Sequence, residues 1–387
     1  MQRLAPLVLA LLAPLLLGAG EAPTPDYAAD ARSIEKLVND DYGYLERFEG
    51  GRMPVSDKLR AEAAAVNSRE TLIRYAERAL ATLADHHAIT GSSLADSWAL
   101  VPSYSDLWIE RRGADYLITA VREHSPAEQA GVQAGDRMTA VAGVPIAQAV
   151  EAFWADLGLA VTPERADYAA RVLAAGHRNV PRSLGVARGA EVRELTLPNL
   201  YAVQPHDRPP VTVTGTTIRF NDSLGDNDTT AAFDAAMANL PPNARVTIDL
   251  TDTASGGNTA VARGIMSWFV DKPTSYQMHL LPAEERQTGV ARRWIEQVLP
   301  RAGKRHPGPV TVRVGRWTGS MGEGLAIGFD AIGARVEGGT MAGLLGAVYD
   351  YKLEQSGLVI KFPVERLFHV NGTPRERFVP HPSNGRG

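Results

Sequence analysis

Cysteine is absent from the chain. Disulfides, thiolate nucleophiles, thiolate metal sites and a lipid-modified cysteine are thereby excluded, and the fold has to rest on packing alone. Positive charge is not in excess either: 40 Lys and Arg stand against 44 Asp and Glu, a formal net charge of −4 with a pI near 6.2. No basic footprint is available to neutralise a run of phosphates, so nucleic acid is not an expected partner. There is no H-E-x-x-H, no P-loop and no G-x-G-x-x-G after a strand, and no metal or cofactor is expected. His124, His177, His206, His279, His306 and His369 lack metal-ligand spacing and are expected at the surface. No apolar run reaches the ~20 residues of a membrane-spanning helix. The first, Leu4 to Leu17, follows Met1-Gln2-Arg3 and precedes Gly18-Ala19-Gly20, which is the pattern of a secretory signal peptide. Residues 1–22 are therefore expected to be cleaved, after Gly20 or Ala22, from an exported protein that is periplasmic or secreted and has no stable membrane insertion.

What the chain does contain supports an α+β multidomain protein. Its 387 residues, 44% of them hydrophobic, exceed one ordinary core, so at least two domains are expected. Residues 23–99 read as a helical N-terminal domain. Ile34, Leu37, Val38, Tyr42 and Leu45 recur at helical spacing between charges, and a second helix is predicted from Asn67, with Glu70 at capping-box spacing and Leu72, Ile73, Ala76, Leu80 and Leu83 on one face. It runs into Asp85-His86-His87.

Residues 100–199 turn to short strands, Leu107 to Glu110 and Tyr116 to Val121, joined at Arg112-Gly113-Ala114-Asp115. A short helix is predicted after Pro126, a tight turn at Gly135-Asp136, a strand from Arg137 to Val141 and a turn at Gly143-Val144-Pro145-Ile146. Residues 150–180 read as helical and inserted, and Arg182 to Leu197 as a hairpin through Arg188-Gly189-Ala190. This succession closely resembles the PDZ fold, which implies a module that engages peptide by strand addition.

Residues 200–387 open with a linker, Leu200 to Val211, rich in proline. Strands (Thr212 to Phe220, Ala244 to Leu250, Val310 to Val314) then alternate with helices (Thr229 to Leu240, Asn258 to Val270, Ser320 to Ile332), which argues an α/β domain on a largely parallel sheet. The strand Val310 to Val314 runs into Gly315-Arg316-Trp317-Thr318-Gly319-Ser320-Met321-Gly322-Glu323, placing Ser320 where the next helix begins. There the first amides lack intrahelical partners and the helix dipole is positive, so an oxyanion forming beside the hydroxyl is stabilised. The bland alternative is a helix cap, since Ser320 and Glu323 also have capping-box spacing. A second turn, Ser255-Gly256-Gly257-Asn258 after Val246 to Leu250, lets backbone approach a substrate closely, and one of its amides can complete an oxyanion hole with that of Met321.

Taken in order behind a PDZ module, the two turns resemble the tail-specific, or C-terminal processing, serine peptidases. Thr318, Ser320 and Glu323 fit that family's Thr-x-Ser-x-x-Glu turn, and Asp249 to Gly257 is similar to its strand and Gly-Gly turn. The resemblance implies a ClpP/crotonase-like α/β catalytic domain with Ser320 as nucleophile. Members with a Ser–Lys dyad carry the lysine in a Gly-Lys-Gly turn; the comparable stretch here, Thr340-Met341-Ala342-Gly343-Leu344-Leu345-Gly346, has none. Asp85-His86-His87 instead resembles the Asp-x-His motif of the tricorn-like branch, which implies His87 as general base, with His86 as the alternative. Asn371-Gly372-Thr373-Pro374-Arg375-Glu376-Arg377-Phe378-Val379-Pro380 resembles that branch's acidic residue before a Gly-x-x-Pro turn, with Phe378 in place of the glycine and His381 where an aspartate is usual, and implies Glu376 as the matching acid. The expected activity is peptide hydrolysis through a Ser320 acyl-enzyme on peptide or unfolded-protein substrates. Two other readings stay open: a non-catalytic binding protein on the same fold, and an enzyme acting on acyl thioesters, which no coenzyme-binding region supports.

Overall fold

The computed structural model describes residues 25–202, 208–221 and 223–383. The expected signal peptide, His206 and part of the expected linker lie outside the described residues.

Helix α1 (Tyr27–Asp41) starts where the Asp26 carboxylate accepts the Ala29 N–H, and it buries Ile34 and Val38. A helix not anticipated from the sequence, α2 (Asp57–Ala65), is capped by Ser56. The cap of α3 (Arg69–Ala81) is Ser68 rather than Asn67: its hydroxyl accepts the Thr71 N–H while Thr71 Oγ1 accepts the Ser68 N–H, so two hydroxyls three residues apart satisfy both orphan amides. Leu72, Ile73, Ala76, Leu80 and Leu83 are buried as the periodicity predicts. The chain then turns through Ala84 (φ 46°) and Asp85-His86-His87 into the short strand β1 (Ile89–Thr90).

Next come β2 (Leu107–Arg112), β3 (Asp115–Val121), α4 (Pro126–Gln129), β4 (Arg137–Val141), β5 (Val144–Pro145), α5 (Ile146–Asp156), α6 (Pro163–Ala175), β6 (Arg182–Arg188) and β7 (Glu191–Leu197). They form an antiparallel sheet in the order β2-β3-β4-β6-β7, with β5 on β4. The inserted helix α6 packs against the edge strand β2 and against α5. Asp167 accepts the Arg111 N–H at 2.6 Å, Arg171 donates to the Ile109 carbonyl at 3.0 Å, and its guanidinium lies 4.4 Å from the Trp108 ring centroid. Groups that an edge strand ordinarily leaves open to another strand are thus satisfied by side chains of the chain itself.

The C-terminal region contains β8 (Val211–Thr214), β9 (Thr217–Phe220), β10 (Ser223–Leu224), α7 (Asp228–Ala238), β11 (Val246–Asp249), β12 (Ser255–Gly257), α8 (Thr259–Met266), β13 (Thr274–Leu280), α9 (Pro282–Thr288), β14 (Arg293–Val298), β15 (Val310–Val314), α10 (Met321–Ala331), β16 (Arg335–Gly338), β17 (Ala347–Lys352) and β18 (Val359–Phe368). One sheet, β16-β15-β11-β9-β8, is parallel except for the β8–β9 hairpin; that hairpin replaces the single strand predicted over Thr212 to Phe220 because Gly215 (φ 60°) turns the chain. A second, antiparallel sheet, β1-β18-β13-β14 with β17 on β18, was not anticipated. Helix α10, buried from Met321 to Phe329, lies between them, against β13 on one side and β15 and β16 on the other.

One apolar core joins α1–α3, the β2–β7 sheet and Ile360, Phe362 and Val364 of β18. A second fills the parallel sheet with Ile218, Ile248, Val312, Leu325 and Phe329. Among the described residues no helix is long and apolar enough to cross a membrane.

Candidate active site

Strand β15 buries Val312 and Val314 and delivers the chain to the turn at Gly315–Ser320. Thr318, fully buried, fixes that turn: its hydroxyl donates to the Leu250 carbonyl at 2.7 Å and accepts the Gly315 N–H at 2.9 Å. The Gly319 N–H donates to Thr253 at 2.9 Å, and a Cβ on Gly319 would stand 2.6 Å from the Ala254 carbonyl oxygen, so glycine is what lets the two turns close on each other. Ser320 itself sits at φ 52°, ψ −115°, a conformation that costs roughly 1–3 kcal/mol and persists only where the surroundings impose it. Glu323 accepts the Ser320 N–H at 2.9 Å, as the capping-box spacing predicts. The serine hydroxyl, however, lies 3.0 Å from His87 Nε2.

The Asp-x-His motif explains how His87 arrives there. Asp85 is buried and accepts the His87 backbone N–H at 2.9 Å and the Tyr42 hydroxyl at 2.8 Å, and Arg47 donates to that same hydroxyl. The ring's other nitrogen, Nδ1, lies 2.6 Å from the Leu345 carbonyl oxygen. A carbonyl only accepts, so Nδ1 carries the proton and the Nε2 lone pair faces the Ser320 hydroxyl. Burial, reinforced by the Arg375 cation and opposed by the bond to Leu345, lowers His87 to about 4. His86 points elsewhere: its ring stacks on Tyr168 at 4.5 Å, and burial, then Arg171, hold it well below the usual histidine range. His87, not His86, is brought to Ser320.

Glu376, the expected acid, has an Oε2 that is buried without a hydrogen-bond partner, and His87 Nδ1 is taken by a backbone carbonyl. The buried carboxylate beside Ser320 is Glu323, which accepts the N–H groups of Ser320, Gly343 and Leu344 at 2.9, 2.8 and 3.1 Å. Burial lifts it to about 7, against the opposing pull of Arg375 and of those amides.

Gly257 of β12, preceded by Gly256 (φ 72°), meets Met321 across the cleft floor; a Cβ on Gly257 would stand 2.6 Å from that of Met321. As first residue of α10, Met321 has an N–H without an intrahelical acceptor, at the positive end of the helix. Ser320, His87, Met321, Gly256 and Gly257 line one cleft of about 730 Å³. Its far wall carries a buried pair missed in the sequence, His279 with Nδ1 2.6 Å from Glu365, stacked on Trp294. His279, His306 and His369 are buried rather than at the surface, because each has an internal partner: Glu365, the Ala244 carbonyl and the Asn371 N–H respectively. Sequence reasoning also missed Leu345 and Arg375. A backbone carbonyl leaves no signature in a sequence, whereas Arg375 was within reach, beside Glu376 in the turn already singled out. Among the described residues no group of three or more metal-ligating side chains is assembled.

A family model described as a PDZ domain matches residues 117–153. No curated protein sequence matches the chain. Among solved structures, the photosystem II D1 C-terminal processing protease is 17% identical with a TM-score of 0.54, each chain covered to 92%. Mature CPAF is 12% identical with a TM-score of 0.56, again with 92% of each chain covered. A lipoprotein from Streptococcus agalactiae is 10% identical with a TM-score of 0.50, over 95% of this chain and 94% of that one. At such identities the likeness is one of fold: this chain has the α+β architecture of the C-terminal processing proteases, with a PDZ domain built in.

Proposed function

We propose that the chain is an exported, periplasmic or secreted serine endopeptidase in which His87 activates Ser320. The observation that carries this reading is the 3.0 Å approach of His87 Nε2 to Ser320 Oγ across 233 positions of sequence, in a cleft that Gly256, Gly257 and Met321 also line. Ser320 Oγ attacks the scissile carbonyl and its proton passes to Nε2; the Met321 amide, with that of Gly256 or Gly257, takes the developing oxyanion. The imidazolium then protonates the leaving amine, and water, deprotonated by the same nitrogen, releases the acyl group. The substrate is an extended peptide or unfolded chain. Its engagement by the PDZ domain through strand addition at β2 requires α6 to yield, since Asp167 and Arg171 already bond that edge.

One observation favours the second reading, a non-catalytic binding protein: no carboxylate supports the His87 ring, whose Nδ1 is held by a neutral carbonyl. A fluorophosphonate probe separates the two. Wild type is expected to be labelled, Ser320→Ala not at all, and His87→Ala about 10²–10⁴-fold more slowly. A wild-type protein that the probe leaves untouched overturns the peptidase reading in favour of the binding protein.

A further inference from the structure

The loop that supplies the Leu345 carbonyl is held from two sides. Glu323 accepts the N–H groups of Gly343 and Leu344. Arg375, 2% exposed, directs a single nitrogen, Nη2, at the carbonyls of Leu344 and Gly346, both at 2.8 Å. Two carbonyls flanking Leu345 converge on one donor, and the carbonyl between them is left facing His87 Nδ1 at 2.6 Å. The loop's exit is equally fixed: Gly346 sits at φ 46°, and a Cβ there would stand 2.1 Å from the Glu365 carbonyl oxygen. This is the stretch in which Ser–Lys members of the resembled family carry their lysine. Here it carries a backbone acceptor for a histidine.

We infer that Arg375 is the positioning residue of the base: by pinning Leu344 and Gly346 it aims the Leu345 carbonyl at Nδ1, and so fixes the tautomer that leaves Nε2 free to take the Ser320 proton. The inference rests on reading Ser320 and His87 as a catalytic pair. Arg375 contributes through geometry rather than charge, since a cation near the ring opposes imidazolium formation. No carboxylate is required in the arrangement, and Glu376, its neighbour, does not enter it. A neutral carbonyl stabilises the imidazolium less than a carboxylate does, so what the clamp supplies is orientation: a ring free to rotate or change tautomer presents an N–H, not a lone pair, to the hydroxyl for part of the time.

The test is ¹⁵N imidazole NMR on the full chain labelled at histidine, run beside fluorophosphonate inactivation kinetics. Wild type is expected to show His87 with its proton on Nδ1 and a bare Nε2. Arg375→Met is expected to lose that fixed signal and to lower the inactivation rate constant about 10–100-fold while the probe's half-saturation concentration changes less than about threefold. Arg375→Lys, which can still donate to the same carbonyls, is expected to restore much of both, and Glu376→Gln to keep the Nδ1–H signal. A wild-type His87 protonated on Nε2, an Arg375→Met spectrum unchanged from wild type, or loss of the Nδ1–H signal in Glu376→Gln each overturns the inference. Should Arg375→Met not fold, the wild-type tautomer and the Arg375→Lys and Glu376→Gln spectra decide. The two readouts separate the failures: an unlabelled wild type with the expected spectra sinks the peptidase reading and leaves the clamp standing, whereas a labelled wild type with its proton on Nδ1 and an unchanged Arg375→Met spectrum sinks only this inference.

Discussion

Glu323 does its work only as a carboxylate, because three N–H groups point at it and a protonated acid turns one acceptor into a donor. Burial lifts it to about 7, whereas burial and Arg375 lower His87 to about 4. Between those values the base is already neutral while Glu323 is still protonated, so the acid limb of fluorophosphonate inactivation is expected near pH 7 and is expected to vanish in Glu323→Gln. A limb near 4, or one that survives the substitution, contradicts that assignment. Stability shows the limb poorly. The raised Glu323 binds protons in the folded state that the unfolded chain, with a carboxyl near 4.5, has released, so its contribution is lost as pH rises from there to about 7. The depressed His87 does the opposite, gaining stability from about 4 to 6.5, and the two slopes oppose each other over pH 4.5–6.5. Gly257→Ala tests the oxyanion amides. Its Cβ meets that of Met321 at 2.6 Å, and Met321 opens a buried helix that has no room to retreat. The turn must move, and inactivation is expected to slow about 10²–10³-fold with a melting midpoint within a few degrees of wild type; an unchanged rate would place the amides elsewhere.

Among the elements, α6 is the one whose presence was legible and whose role was not. The helical pattern over residues 150–180 announces it, and Thr162 and Pro163 start it as a cap and first residue should. Nothing in that pattern says that Asp167 and Arg171, four residues apart on one face, will cover the open edge of β2. Asp167→Ala removes the acceptor of the Arg111 N–H and is expected to speed hydrogen exchange of that amide at least about tenfold, read by NMR or mass spectrometry. Exchange that stays at the wild-type rate means the edge is not guarded by that side chain.

At the scale of the whole molecule, the helices that lead into the His87 turn share a core with the β2–β7 sheet and with β18, and β1 pairs with β18 directly. The site is therefore assembled by packing between distant stretches rather than by a hinge between independent units. Ile360, fully buried where these parts meet, is expected on replacement by alanine to cost about 2–5 kcal/mol. Far-UV helical signal and probe labelling should then disappear at one shared urea midpoint; two separate midpoints would show that the helical region and the β18 sheet are not one cooperative unit.

The sequence by itself determined what depends on neighbours along the chain. Strands β4 and β15, the short helix after Pro126 and the hairpin through Gly189 follow from periodicity and turn residues, and Ser320 at a helix start follows from the glycine turn before it. Even local rules yield to better local chemistry, as when Ser68 and Thr71 displaced Asn67 and Glu70 as the cap. Tertiary structure decided which histidine meets Ser320, because His86 and His87 differ only in the direction their backbone faces once Asp85 has seized one amide. It also decided what supports that ring. The antiparallel sheet, the Leu345 carbonyl and the Arg375 clamp all depend on contacts between residues tens to hundreds of positions apart, and a backbone oxygen is common to every residue, so only the folded path of the chain gives one of them a partner.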